Sequence, residues 1–249
     1  MEIRVPVFAG RRILKKESLW DIRDYTYAGW QLYYSEYTDG LLKGCDIRAE
    51  DGQLVIGKGM LKFHDFIYLM MEEERVDYQP KNRWQVLKAE FSEDETNLDY
   101  KAYRVRFFLD EEMEQIEMCR FYLREGSVLR DSYKNFADMS TEYDTINLIY
   151  ATVAGVGEKT LHPALLLQFV EELWNMKEKD AADVGICSLI WNAQGRVERK
   201  VIVAYLCGKL ADHTAEKNDN NRIYGDMERI IGNKNSRMER KTPKRIVVE

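Results

Sequence analysis

Apolar residues recur at alternate positions through much of the first half of the chain, and at every third or fourth position between Leu161 and Gly208. That change of period sets the expected fold. A short apolar segment, Ile3 to Phe8, predicts a first strand, and Ser18 to Asp24 predicts a short helix capped by Ser18. The aromatic run Trp30, Tyr33, Tyr34 and Tyr37 follows, and its imperfect alternation leaves strand and helix both open.

The clearest signals lie between Leu41 and Met71. Cys45 to Ala49 and Gln53 to Ile56 flank Glu50, Asp51 and Gly52. An Asp-Gly step between alternating segments marks a hairpin, because Gly supplies the positive φ of a tight turn. Gly57, Lys58 and Gly59 interrupt the chain before Met60 to Phe63, and His64-Asp65 turns it again ahead of Phe66 to Met70. The expectation is an antiparallel β-meander of three or four short strands. Glu72 to Lys81 reads as a polar connection. Trp84 to Phe91 and Tyr100 to Leu109 read as two longer strands, joined by the acidic loop Ser92 to Asn97, that pair antiparallel and extend the meander. Met113, Ile116, Cys119 and Leu123 recur at helical spacing, with a strand at Phe121 to Leu123 as the second reading. Thr145 to Val153 is a β-type run, closed by Gly155 and Gly157.

Helices follow. Pro163 suits a first helical turn, where its missing N–H costs nothing. Leu166, Phe169, Val170, Leu173 and Trp174 then form one apolar face. Gly195 precedes a second helix with Val197, Val201, Ala204, Tyr205 and Gly208 on one side. Strands first and helices last define the α+β class: an antiparallel meander in the N-terminal and middle parts, and helices in the C-terminal third. After about Ala211 polar and charged residues dominate, which predicts a flexible C-terminal tail with a helical turn at Met227 to Ile231. The expected organisation is a mainly β assembly domain over 1–140, a strand plus helices over 141–211 packed on it, and a flexible basic tail over 212–249.

Charge is uneven. The stretch from His213 to Glu249 holds nine Lys/Arg against six Asp/Glu, so the rest of the chain carries the whole of the net −6 and more. An acidic body argues against nucleic acid as a partner, since duplex affinity rests on neutralising phosphates. No stretch reaches the ~20 apolar residues of a membrane helix. The longest candidate, Leu161 to Val170, is interrupted by His162, Pro163 and Gln168, and Met1 to Gly10 lacks the apolar centre of a signal peptide. Cys45, Cys119, Cys187 and Cys207 are widely spaced, with no CxxC pair, as expected of reduced thiols in a cytoplasmic protein.

Candidate chemistry is sparse. Ala154 to Thr160 resembles a phosphate-binding loop, but Glu158 stands directly before Lys159 where glycine is required, and Val153 occupies the earlier glycine position. Glu158 would also bring negative charge towards phosphate oxygens. A glycine-rich turn is the better reading. A nucleotide- or nucleic-acid-associated role, or an enzyme with a site assembled from distant residues, stands as the alternative. His64-Asp65 reads as a polar turn, and three dispersed histidines make no metal box. The acidic runs at Glu72 to Glu74, Glu93 to Glu95 and Asp110 to Glu112 read as solvated surface. The expectation is therefore no catalytic, cofactor-binding or metal-binding residue, and no cofactor.

What remains points to protein contact. The sequence holds 15 Tyr and 5 Trp, amphipathic rings suited to interfaces. The candidate interface residues are Trp30, Tyr33, Tyr34 and Tyr37, with Ile246, Val247 and Val248 at the end of the basic tail. That last segment, led by Lys244 and Arg245, has the pattern of an arm that adds to a neighbour's sheet edge. The partners expected are other protein subunits, with a homo-oligomer left open.

Residues Gly40 to Ala49 (GLLKGCDIRA) and Gly57 to Leu69 (GKGMLKFHDFIYL) carry a family resemblance. They resemble the N-terminal segments of some phage-tail and baseplate-associated proteins, where a strand of this kind leads to a Pro-Gly turn and a short meander. Here Gly57-Lys58-Gly59 replaces Pro-Gly, and the resemblance extends loosely over Tyr143 to Leu173. It implies a structural or accessory component of a phage-tail-like or contractile injection assembly, acting by docking, with no catalytic residues to transfer. Its place would be the cytoplasm, or a tail-like particle assembled there.

Overall fold

The computed structural model describes residues 13, 15–94, 102–112, 116–211 and 219–241. Its first element is helix α1, Lys16–Tyr33, followed by β1 (Gly40–Gly44), β2 (Ile47–Glu50), β3 (Gln53–Ile56), β4 (Gly59–Phe63), β5 (Phe66–Met70) and β6 (Glu74–Asp77). Strands β7 (Trp84–Asp94), β8 (Ala102–Asp110) and β9 (Ile116–Tyr122) come next. Helices α2 (Pro163–Asn175), α3 (Ala181–Asn192), α4 (Arg199–Lys209) and α5 (Asn220–Lys241) complete the α+β arrangement.

The meander exists, and it is bent. Strands β1 and β2 pair with β4 and β3 to make one long hairpin from Gly40↔Lys62 to its tip at Glu50↔Gln53. Asp51 and Gly52 both take positive φ (48° and 80°), the two-residue geometry that matches the twist of the flanking strands. Halfway along, the hairpin kinks: the Cys45 amide donates to the Lys58 carbonyl and the Gly57 amide to the Asp46 carbonyl. The kink divides the ladder into two three-stranded sheets, β1-β4-β5 and β2-β3-β6. Gly44 and Gly59 make it feasible. A β-carbon on Gly59 would lie 2.4 Å from the Lys43 carbonyl oxygen, and one on Gly44 would lie 2.2 Å from that of Lys58. The expected connection from Glu72 to Lys81 contains a strand, β6, because the chain leaving β5 continues along β3.

Strands β7 and β8 pair antiparallel as expected, over Val86↔Asp110 to Asp94↔Ala102. They do not extend the meander. They form a separate sheet, β8-β7-β9, that packs across it through Phe63 on Phe91 and Phe66 on Tyr103. The helix expected around Ile116 and Cys119 is the strand β9, whose residues Ile116 to Phe121 are all buried. A strand covered on both faces loses its alternation, so its apolar spacing mimics a helix. Thr145 to Val153 forms no named strand. It contributes isolated bridges, among them Arg120↔Asn147 and Leu41↔Val153.

His162 caps α2, its ring nitrogen accepting from the Ala164 amide, and Pro163 opens the first turn. Leu165, Leu166, Phe169, Val170 and Leu173 are buried, while Trp174 faces out. Helix α3, capped reciprocally by Asp180 and Asp183, has no counterpart in the sequence reading. Exposed Val184, Leu189 and Trp191 blur the inner stripe of Ile186, Cys187 and Ile190. In α4 the buried side is Ile202, Val203, Tyr205 and Leu206, rotated from the expected face, and Ala204 and Gly208 are exposed.

The greatest departure is α5. Met227 to Ile231 is helical as expected, but it belongs to a helix of 22 residues. Its stretch from 220 to 232, expected to be tail, docks Ile223, Tyr224, Met227, Ile230 and Ile231 into the helical core against Phe136 and the helices. These apolar residues recur at intervals of three and four and bury one stripe, which average composition conceals. Residues 1–12, with the expected Ile3 to Phe8 strand, and the tail beyond Lys241 lie outside the described residues.

Two substitutions test these assignments. Met227→Ala should lower unfolding stability by about 2–5 kcal/mol in denaturant titration, whereas a loosely attached tail would give almost no change. Gly59→Ala should cost about 1–3 kcal/mol, because the neighbouring atoms are backbone and cannot swing away. An unshifted denaturation midpoint would contradict the crossing described at Gly44 and Gly59.

Candidate functional site

Helix α1 has no buried residue. It nonetheless carries Leu19, Trp20, Ile22, Tyr25, Tyr27, Trp30, Leu32 and Tyr33. Exposed apolar side chains on this scale are uncommon on a protein surface. Its inner side rests lightly on β5, with Tyr27 near Phe66 (ring centroids 6.4 Å apart) and the Gln31 amide donating to the Asp65 carbonyl at 3.4 Å. Its outer side presents Tyr25, Leu32 and Tyr33, exposed at 71%, 77% and 69%.

The four aromatic residues singled out in the sequence come together here. Trp30 stacks on Tyr34 at 6.0 Å, Tyr33 meets Tyr34 edge-on at 4.8 Å, and Tyr37 meets Tyr34 edge-on at 5.1 Å. The first two ride on the last turns of α1, Tyr34 follows its end, and Tyr37 sits in an isolated bridge to Val156, so the run passes from helix to bridge. Burial raises the pKa of the Tyr34 and Tyr37 hydroxyls above the ordinary tyrosine value. Lys62 anchors the end of the ladder by donating to the Tyr37 carbonyl at 2.7 Å. Ile246, Val247 and Val248 fall outside the described residues, so no geometry joins them to this cluster.

Sequence reading missed what lies beneath. Between α1 and the sheets runs a groove of about 550 Å³, lined by Tyr27, Trp30, Phe66, Ile67, Leu69 and Tyr103 among others. Among the described residues none that lines it is charged. The signal available in the sequence was Phe66 to Met71, a run too apolar on both faces for a strand covered on one side.

A second, polar cleft of about 740 Å³ holds Glu158 and Lys159 with Tyr150, Arg199, Asp219, Asn220 and Asn221. Arg199 donates to the Lys159 carbonyl at 2.6 Å and to the Asn220 side chain. Its burial lowers its pKa from the ordinary value. The neighbouring loop is partly tied into the fold through four of its amides: Ala154 with the Leu41 carbonyl, Gly155 with the Thr38 hydroxyl, Gly157 with the Glu36 carbonyl and Thr160 with the Val153 carbonyl. The Thr160 hydroxyl donates to the Val197 carbonyl at 2.7 Å.

The other reactive groups are scattered or enclosed. His64 is exposed, 3.7 Å from Asp39, in the β4–β5 turn. Burial pushes the Cys45 thiol up to about 12 and raises that of Cys119 as well. Glu117 and Arg120 form a buried, doubly hydrogen-bonded pair on β9, with Arg120 stacked 3.7 Å over Tyr150. Asp183, fully buried, accepts from the Tyr205 hydroxyl and pairs with Lys209. Asp183 thereby joins α3 to α4, and Arg120 reaches from β9 to Tyr150. Among the described residues no cluster of three His, Cys, Asp or Glu side chains is placed to hold a metal ion, and no helix is long and apolar enough to cross a membrane.

These features define an α+β chain with an exposed aromatic helix. No family model matches it, and no curated protein does. Solved structures give low overlays. One is a chain of the type VI secretion system TssK-TssF-TssG baseplate subcomplex, at 8% identity and TM-score 0.37, covering 94% of this chain and 100% of that one. A crystal structure of TssK gives 10% identity and TM-score 0.36, covering 94% of this chain and 69% of the other. A type VI secretion baseplate complex gives 10% and 0.36, covering 93% and 70%. Likeness at this level carries no function across.

His162 yields a prediction of its own. Burial first, and then the charge of Arg196, lower its pKa to about 4. An unfolded histidine titrates near 6.5. Below that value the unfolded chain takes up a proton that the folded chain refuses. Stability should therefore fall by about 1.4 kcal/mol per pH unit from about pH 6.5 down to about pH 4. His162→Asn, which keeps an acceptor for the Ala164 amide, should flatten that part of the stability–pH curve. An unchanged slope in the variant would contradict the assignment.

Proposed function

We propose that the chain is a non-enzymatic subunit of a protein assembly and works by docking other subunits on the outer face of α1. One observation carries the reading: an 18-residue helix without a buried residue, whose apolar side chains face solvent. A monomer gains nothing from displaying Tyr25, Leu32 and Tyr33, and apolar patches of this kind mark protein contacts. Tyrosine and tryptophan also dominate the few residues that supply most interface energy.

The kind of assembly comes from the resemblance of Gly40 to Leu69 to phage-tail and baseplate-associated proteins. We place the chain in a contractile, tail-like injection particle, assembled in the cytoplasm. Glu158 standing directly before Lys159, together with the engaged amides of Ala154, Gly155, Gly157 and Thr160, favours this reading over a nucleotide-dependent role.

Tagged full-length protein from the native host should co-purify with sheath, tube or baseplate subunits. Combining Leu32→Ala with Tyr33→Ala should weaken that association by tenfold or more, since such anchors are each worth about 1–2 kcal/mol or more. Stability should stay within about 0.5 kcal/mol, as both side chains are exposed. Undiminished association, or no tail-like subunit in the native preparation, would overturn the reading.

A further inference from the structure

The groove beneath α1 bends around the outer edge of β5. Neighbouring side chains of a strand point to opposite faces, yet Phe66, Ile67, Tyr68 and Leu69 all line the same cavity. Such a lining requires the cavity to wrap the strand's edge. Among the described residues strand β5 pairs with β4 alone, through a two-residue turn closed by Phe63↔Phe66. In an antiparallel ladder the pairs alternate between bonded and non-bonded. Counting from that closing pair, Ile67 and Leu69 turn their N–H and C=O groups outward. No backbone group of another described residue takes them up. Leu69, 61% exposed, and Met71, 66% exposed, stand beside this open edge.

Unpaired, apolar edges are normally blunted by charge, proline or a covering element. Here α1 overhangs the edge without filling the space, and Tyr103 and Val105 of β8 form the far wall. The space suits one further strand with apolar side chains at alternate positions. At the exit of β5 the chain carries Glu72, Glu73 and Glu74, all exposed. The incoming strand should therefore bring positive charge at that end.

We propose that this edge receives residues Lys244 to Val248 of a second copy of the chain, added antiparallel to β5. Ile246 and Val248 would then lie on the same face as Leu69 and Ile67, under α1, and Lys244 and Arg245 would meet the acidic exit of β5. The choice of a second copy follows from α5. Ile231 is the last of its described side chains seated in the helical core, and the helix runs on to Lys241. At ~1.5 Å per residue that adds about 15 Å of helix between Ile231 and the segment. The core that holds α5 shares no buried residue with the one that holds β5. This contact between copies is separate from docking on the outer face of α1, and either can fail alone.

The experiment compares the full chain with the double variant I246D/V248D across a hundredfold range of concentration. Molar mass is followed by sedimentation equilibrium, and hydrogen exchange at the Ile67 and Leu69 amides by mass spectrometry. The full chain should self-associate, with at least tenfold slower exchange at those amides as association proceeds. The variant should stay monomeric at unchanged melting temperature, and Leu69→Asp on the groove side should do the same. Association undiminished in I246D/V248D would overturn the proposal. So would absence of association in the full chain, or protection of Ile67 and Leu69 that does not vary with concentration and so reports an occupant from the same chain.

Discussion

Gly44 and Gly59 face each other where the long hairpin kinks, and neither position has room for a β-carbon. The close passage divides one ladder into two sheets, so that the β4–β5 half turns away from the β3–β6 half. Phe63, Phe66 and Tyr68 thereby reach the rings of Phe91 and Tyr103 on the third sheet. The same turn leaves the outer edge of β5 open below α1. Without the kink the meander would lie flat, and the groove would have no reason to exist.

Polar pairs set inside an otherwise apolar body tie neighbouring segments together. Glu117 with Arg120 closes β9 against the stretch around Asn147 and Tyr150, and Asp183 ties α3 to α4 through Tyr205 and Lys209. Buried charges of this kind cost stability unless fully paired. They are paired here, which makes them part of the architecture.

Much of this was legible in the sequence where one face of an element meets solvent. The Asp51-Gly52 hairpin, the β4–β5 turn, the β7–β8 pair and the start of α2 all followed from turn chemistry and period. Reading failed where both faces are covered or both carry apolar residues. Strand β9 is buried on each side, and α3 carries Val184, Leu189 and Trp191 outside its buried stripe. In α5, charged residues on the outer side concealed the stripe from Ile223 to Ile231. For the site, the aromatic ladder could be named from Trp30, Tyr33, Tyr34 and Tyr37. The groove could not, since it depends on Phe66 and Tyr103 being brought together across 37 residues by sheet packing.

The proposed role of α1 is that of a docking helix. A photo-crosslinking side chain placed at Tyr33 in the native host, with Val128 on an exposed loop as the control position, tests this most directly. Docking predicts a discrete crosslinked product from position 33, containing a subunit of a tail-like particle, and no such product from position 128. Equal, diffuse labelling from both positions, or none from position 33, would contradict it.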